Sequence, residues 1–205
     1  MTKKELVQQE FDQRFGADYE SIGDIHQGIA VVQRDDYFGV INTKGEIIIP
    51  VMYDYISDFC SNMAAVYTED KGCFFNTKGE QLCPFIYDDI ALGDHQELQG
   101  PQFINGLVKV CVDGKFGFVN MDCELVIQPV YESAEDFSKE GFSVVRKGKM
   151  WGVINKEGVL LFEYLYEGYL KVSNKKYISS MINGKLQFVD YSGKVLSDKE
   201  LADLS

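Results

Sequence analysis

The chain has 205 residues, a formal net charge of −12, 45% hydrophobic residues and 13% aromatic residues. That is enough apolar matter for a continuous core, which excludes a disordered chain, and no apolar run approaches the ~20 residues of a membrane-spanning helix. The acid excess excludes nucleic acid as the expected partner, because phosphates call for a basic footprint.

In chain order, residues Lys3 to Arg14 set Leu6, Val7 and Phe11 among polar residues, the pattern of a short amphipathic helix. The N-terminus has neither an apolar stretch nor a small-residue cleavage site, so no secretion signal is expected. A phrase then begins that recurs to the end. Phe38-Gly39-Val40-Ile41-Asn42-Thr43-Lys44-Gly45 leads through Ile47-Ile48-Ile49-Pro50 to Tyr53-Asp54. It returns from Phe116-Gly117 to Tyr131-Glu132 and from Trp151-Gly152 to Tyr166-Glu167, with weaker copies around Asn76 and Asp190. The Asn/Asp positions 42, 76, 120, 155 and 190 are separated by 34, 44, 35 and 35 residues, which is a fixed period with one insertion at 91–102. Counting the early Tyr19-Glu20 pair, the chain holds five whole modules.

Each module reads as β structure. A β-branched run such as Gly28 to Val32 passes through a polar turn to a second run such as Phe38 to Ile41, and Asn-x-x-Gly then turns the chain into a third. The Asn bonds its own backbone and the Gly takes the left-handed conformation. Gly28, Asn62, Gly106 and Gly141 occupy one repeat position and need no more than a positive φ. At the end, Ser197 with Glu200 three residues on marks a second short helix. The expected fold is all-β: a five-unit antiparallel β-meander array with helical caps at 1–18 and 197–205 and repeats over 19–196, all one domain. Short modules and capped ends favour an open twisted solenoid over the alternative, a closed five-bladed propeller-like ring.

No catalytic motif of the phosphate-binding, dinucleotide-binding, serine-hydrolase or zinc-protease kind occurs, so no enzyme is expected. Two histidines, His26 and His95, and no Cys-x-x-Cys pair leave no expected metal site or cofactor. The five cysteines Cys60, Cys73, Cys83, Cys111 and Cys123 occupy different repeat positions, which fits small core residues in a reducing, cytoplasmic setting. The acids after each Tyr are read as turn acceptors rather than a cation ladder. The recurring Phe38, Phe116 and Trp151 are read as core rather than as sugar platforms.

Charge is distributed unevenly. Residues 1–102 carry 7 Lys/Arg against 18 Asp/Glu, a balance of −11, and residues 103–205 carry 13 against 14, a balance of −1. A shared framework does not produce this asymmetry, which points to a basic protein partner or to solubility. The insertion breaks the period and holds His95, and insertions in repeat arrays fall on loops, often on the binding face. The candidate contact residues are therefore Asp35, Asp36, Glu69, Asp70, Asp94, His95 and Glu97.

The phrase aromatic-Gly-x-Ile/Val-Asn-x-x-Gly, an aliphatic run, often Pro, then Tyr-Asp/Glu resembles the WG-repeat (KWG-type) family of bacterial proteins. Lys149-Met150-Trp151-Gly152-Val153-Ile154-Asn155 to Gly158 is the nearest copy, while Gly72-Cys73 and Leu186-Gln187 have lost the motif. The resemblance implies repeat modules with a binding role and supplies no catalytic residues. Three functions follow as expectations: a non-catalytic protein-binding scaffold, a cytoplasmic immunity or antitoxin protein covering a basic effector, and a carbohydrate or cell-wall binder.

Overall fold

The computed structural model describes residues 3–95, 98–161, 170–172, 178–182, 185–189 and 194–202, and it is nearly all β. Tyr166-Glu167 and the Asp190 to Gly193 turn lie outside these residues. The chain divides into two compact bodies, residues 1–102 and 103–205.

The N-terminal body begins with α1 (Lys3–Phe15). The short strand β1 (Ser21–Ile22) is followed by β2 (Ile29–Arg34), β3 (Tyr37–Asn42) and β4 (Ile47–Tyr53), which pair in that order as one antiparallel sheet. A second sheet joins β5 (Tyr55–Ile56), β6 (Met63–Thr68) and β7 (Lys71–Asn76). After β8 (Asp89–Ile90), the insertion folds as a hairpin of β9 (Leu92–His95) and β10 (Leu98–Pro101).

The C-terminal body repeats the scheme. β11 (Leu107–Val112), β12 (Lys115–Asn120) and β13 (Leu125–Tyr131) form one meander, and β14 (Ser133–Ala134), β15 (Phe142–Lys147) and β16 (Met150–Asn155) form the next. β17 (Leu170–Val172), β18 (Ile178–Ile182) and β19 (Lys185–Val189) form a third sheet before α2 (Asp198–Ala202). The three runs expected per module thus gain a short partner. The two residues after Tyr-acid pair with the first strand of the following hairpin, as Ser21 and Ile22 do with Gln33 and Val32.

The aromatic-Gly pair explains the outer strand. Along β3 and β4 the register shifts between Phe38↔Tyr53 and Val40↔Ile49, and β12 and β13 shift identically between Phe116↔Tyr131 and Phe118↔Ile127. At this bulge the backbones almost touch, because a Cβ on Gly39 would lie 2.8 Å from the Ile49 carbonyl oxygen and one on Gly117 2.5 Å from that of Ile127. The second module has Cys73 at this position, paired with Val66 as Gly39 is with Val32. Its third run is accordingly no strand and keeps only isolated bridges, Phe75↔Gln81 and Gly72↔Tyr87.

The repeated side chains face inward. Val40, Ile49, Val66, Cys73 and Phe75 form one cluster between the first two sheets, with Tyr53 and Phe85 packed against it. Tyr53 meets Phe75 edge-on at 5.5 Å, and the fully buried Tyr87 meets Phe74 at 5.7 Å. In the other body Phe118, Ile127, Tyr131, Val145 and Ile154 share a core, where Phe118 and Phe137 lie 4.6 Å apart. Each such ring contributes about 1.5–3 kcal/mol by leaving water.

The caps form as expected. Phe11 packs with Ala30, Val32 and Ile41, the Phe15 ring fills the space beside Gly45, and Gln8 accepts the Ile25 N–H at 2.7 Å. Ser197 and Glu200 make the reciprocal capping box: the Ser197 N–H donates to Glu200 Oε2 at 2.9 Å and the Glu200 N–H donates to Ser197 Oγ at 3.4 Å. The Lys194 ammonium, followed by the Ser197 backbone N–H and hydroxyl, holds the Glu200 carboxyl at about 2.

Candidate partner-binding surface

Four of the candidate residues sit on equivalent hairpin tips. Asp35 and Asp36 join β2 to β3 with φ of 52° and 66°, and Glu69 and Asp70 join β6 to β7, with Glu69 at φ 53°. A two-residue turn with both φ positive matches the strand twist, and Asp is among the side chains that tolerate it best. All four are exposed, and among the described residues no cation pairs with any of them. In the C-terminal body the same tips read Asp113-Gly114 and Gly148-Lys149, the latter preceded by Arg146 and Lys147.

The acid after each Tyr adds to these tips. Glu20 Oε1 accepts the Asp35 N–H at 3.3 Å, Asp54 accepts the Glu69 N–H, and Glu132 Oε2 accepts the Gly148 N–H at 2.8 Å. The acid column is therefore a set of turn acceptors. Glu20, Asp54 and Glu132 each serve the hairpin of the next module. Two of the acids also reach back to a lysine of their own module: Lys71 pairs with Asp88, and Lys115 donates to Glu132 Oε1 at 2.7 Å. The Lys115 ammonium first, and the Gly148 N–H next, hold the Glu132 carboxyl at about 2. In the N-terminal body each tip thus gathers three carboxylates: Glu20 with Asp35 and Asp36, and Asp54 with Glu69 and Asp70.

The insertion lies elsewhere. Asp94 pairs with Gln99 and His95 with Leu98 across β9 and β10, while Glu97 falls outside the described residues. The hairpin is latched to Asp58, whose backbone N–H donates to the Gln99 carbonyl at 3.0 Å and whose Oδ2 accepts the Gln99 N–H at 2.7 Å. Gly100 permits the contact, since a Cβ there would lie 2.3 Å from the Asp58 carbonyl oxygen. The antiparallel pairing of Ile56 with Val66 sets Asp58 level with Ala64, so five residues of strand, about 16 Å, separate the latch from Glu69 at the tip. Asp58 was not among the candidates; its signal is the repeat, because Asp24 and Asp136 stand at the same distance from their Tyr.

Among the described residues no group of three or more His, Cys, Asp or Glu side chains could hold a metal ion. Burial first, then the Asp58 charge, push the Cys60 thiol up against the opposing Gly100 N–H, which makes it a poorer nucleophile. A cleft of about 180 Å³ beside α1, lined by Val7, Glu10, Phe11, Arg14, Phe15, Ile25 and Thr43, is smaller than ordinary ligand pockets. Phe38, Phe116 and Trp151 are half-buried rather than laid open as platforms. No helix among the described residues is long and apolar enough to cross a membrane.

Residues 38–71 and 116–151 match the family described as WG containing repeat. No curated protein matches the chain. Among solved structures, a eukaryotic initiation factor aligns with a TM-score of 0.52 at 9% identity over 86% of this chain and 53% of its own. Hsv2 of Kluyveromyces lactis aligns with a TM-score of 0.43 at 10% identity over 83% of this chain and 59% of its own. The chain therefore spans little more than half the length of these structures, and the likeness is one of fold, that of β-propeller and repeat-like proteins.

Proposed function

We propose that this chain, which carries WG repeats, is a non-catalytic scaffold that binds a protein with a basic surface through the acidic hairpin tips of residues 1–102. One observation carries the reading: two successive tips, Asp35-Asp36 over Glu20 and Glu69-Asp70 over Asp54, concentrate carboxylates that no described cation neutralises. The framework does not demand this. At the same turn the fourth module has Gly148-Lys149 and forms the same kind of hairpin. Uncompensated like charge at two neighbouring tips raises the local potential and accelerates encounter with a cationic surface. The reading needs no cofactor and places the protein in the cytoplasm, where its five unbridged cysteines fit.

A cytoplasmic immunity protein that masks a basic effector is the narrower form of this proposal and rests on the same tips. Carbohydrate binding is the weaker reading, because the recurring aromatics are engaged in packing. The test is binding of the full chain to a lysine-rich peptide at 50 and 300 mM salt, compared with the quadruple variant D35N/D36N/E69Q/D70N. The wild type binds at low salt, and the variant binds at least tenfold more weakly with a flatter salt dependence. Equal affinity of the two proteins would overturn the role of the tips.

A further inference from the structure

The second module departs from its neighbours at two facing positions. Cys73 stands where the first, third and fourth modules have Gly39, Gly117 and Gly152, and Cys83 stands where the first and third have Ile49 and Ile127. In those modules the two positions meet at the bulge, where even a single added carbon would touch the facing carbonyl. Cys73 is fully buried, and Cys83 packs half-buried against the same cluster.

The Cys83 Sγ accepts the Phe74 N–H at 3.4 Å, so it stands in for the backbone partner that the displaced third run no longer brings to this strand. Phe74 N lies about 2.4 Å from the Cys73 Cα by covalent geometry, which puts the Cys83 sulfur within about 6 Å of that Cα. A disulfide needs its two Cα atoms roughly 4.4–6.8 Å apart, a separation that facing residues of neighbouring antiparallel segments meet. The run from Glu80 to Tyr87 is joined to β7 by the Leu82 N–H to the Phe74 carbonyl and by the bonds between Gly72 and Tyr87. A segment held this way opens locally more readily than a full strand.

We propose that Cys73 and Cys83 form an oxidisable pair, closed to an intramolecular disulfide by hydrogen peroxide, that pins the 80–87 run to β7. The half-buried Cys83 reacts first: its thiol gives up its proton, the thiolate attacks one peroxide oxygen, the O–O bond breaks, and the departing hydroxide takes up that proton, leaving a sulfenic acid and one water. The Cys73 sulfur then attacks the Cys83 sulfur, the S–O bond breaks, and the thiol proton leaves with hydroxide as a second water. Two thiols and one peroxide give one disulfide and two waters, and a dithiol reverses the change. Burial, then the neighbouring Cys83, push the Cys73 thiol up, so the second step waits on local opening of the run.

The test uses the native full chain, exposed to a few equivalents of hydrogen peroxide, alkylated and digested with trypsin. Cleavage after Lys71, Lys78 and Lys109 puts Cys73 in peptide 72–78 and Cys83 in peptide 79–109, while Cys60, Cys111 and Cys123 each fall in peptides of their own. We expect peptide 72–78 linked to 79–109, an intact mass lower by two hydrogens, reversal by dithiothreitol, and slower amide exchange over residues 82–87. Cys83→Ser abolishes the link and Cys60→Ser keeps it. The linkage map of the wild type decides even where a variant folds poorly. The proposal is overturned by peroxide-treated native protein whose 72–78 and 79–109 peptides stay unlinked, or by a link that forms only in urea.

Discussion

The two bodies are built to one plan and charged differently. Val66 faces Cys73 as Val110 faces Gly117, and Asn76 bonds Lys78 and Glu80 as Asn120 bonds Asp122 and Glu124. Yet residues 1–102 carry −11 and residues 103–205 carry −1. The difference separates two kinds of position. Inward side chains, the bulge glycine and the Asn turn are held by packing and backbone geometry, whereas the two residues of each hairpin tip need only tolerate a tight turn. Those tips are where sequence drifts without loss of fold, and where recognition has room to arise.

If the plan is shared, equivalent core changes must hurt both bodies equally. Phe74→Ala and Phe118→Ala each remove a fully buried ring at one repeat position, and each destabilises by about 3–5 kcal/mol in urea unfolding. Unequal losses, beyond about 1.5 kcal/mol, would break the equivalence. The Asn turn offers a finer comparison. Asn120 accepts two backbone N–H groups and donates to the Glu124 carboxylate at 2.9 Å, but the fourth module has Val159 where that acid would be. Asn120→Ala therefore costs about 2 kcal/mol and Asn155→Ala about 1 kcal/mol less, measured by chemical denaturation.

The acid column is sharpened by pH. Because the Glu132 carboxyl is held at about 2 in the folded chain, against 4.5 for the ordinary group, its contribution is complete above pH 4.5 and fades as pH falls towards 2. The urea midpoint of wild type should exceed that of Glu132→Gln at pH 6 and converge with it near pH 2. A gap that widened on acidification would reverse the assignment. The smallest effect concerns Cys123, which sits at φ 61° where other modules have glycine. Cys123→Gly should raise stability by up to about 1 kcal/mol, seen as a small rise in Tm.

Much of this architecture is readable from residues alone, and the reasons are local. Gly28, Asn62, Gly106 and Gly141 all take positive φ, as their shared repeat position implies, and so do Gly45, Gly79, Cys123 and Gly158 after each Asn. Tyr53, Tyr87 and Tyr131 turn towards the core, where Tyr53 and Tyr131 join the aliphatic clusters and Tyr87 is fully buried. The short strands β1, β5 and β14 leave no mark in the sequence because two residues carry no alternation to read. The loss of the third strand in the second module was visible only as Cys73 in place of glycine, a change whose meaning depends on a bulge no pattern announces. At the tips, the exposed acids were legible as charge, but the carboxylates beneath them were not, since Glu20 lies 15 residues from Asp35. The latch by Asp58 joins residues 41 apart, which sequence spacing does not reveal.

Glu132 takes one hydrogen bond from Lys115 behind it and another from Gly148 ahead. A gene duplication that copies this period therefore delivers both the donor and the acceptor of this clasp, and the new joint closes as the old one does. Arrays of this design can grow or shrink by recombination alone, leaving selection to write a new message on each exposed turn.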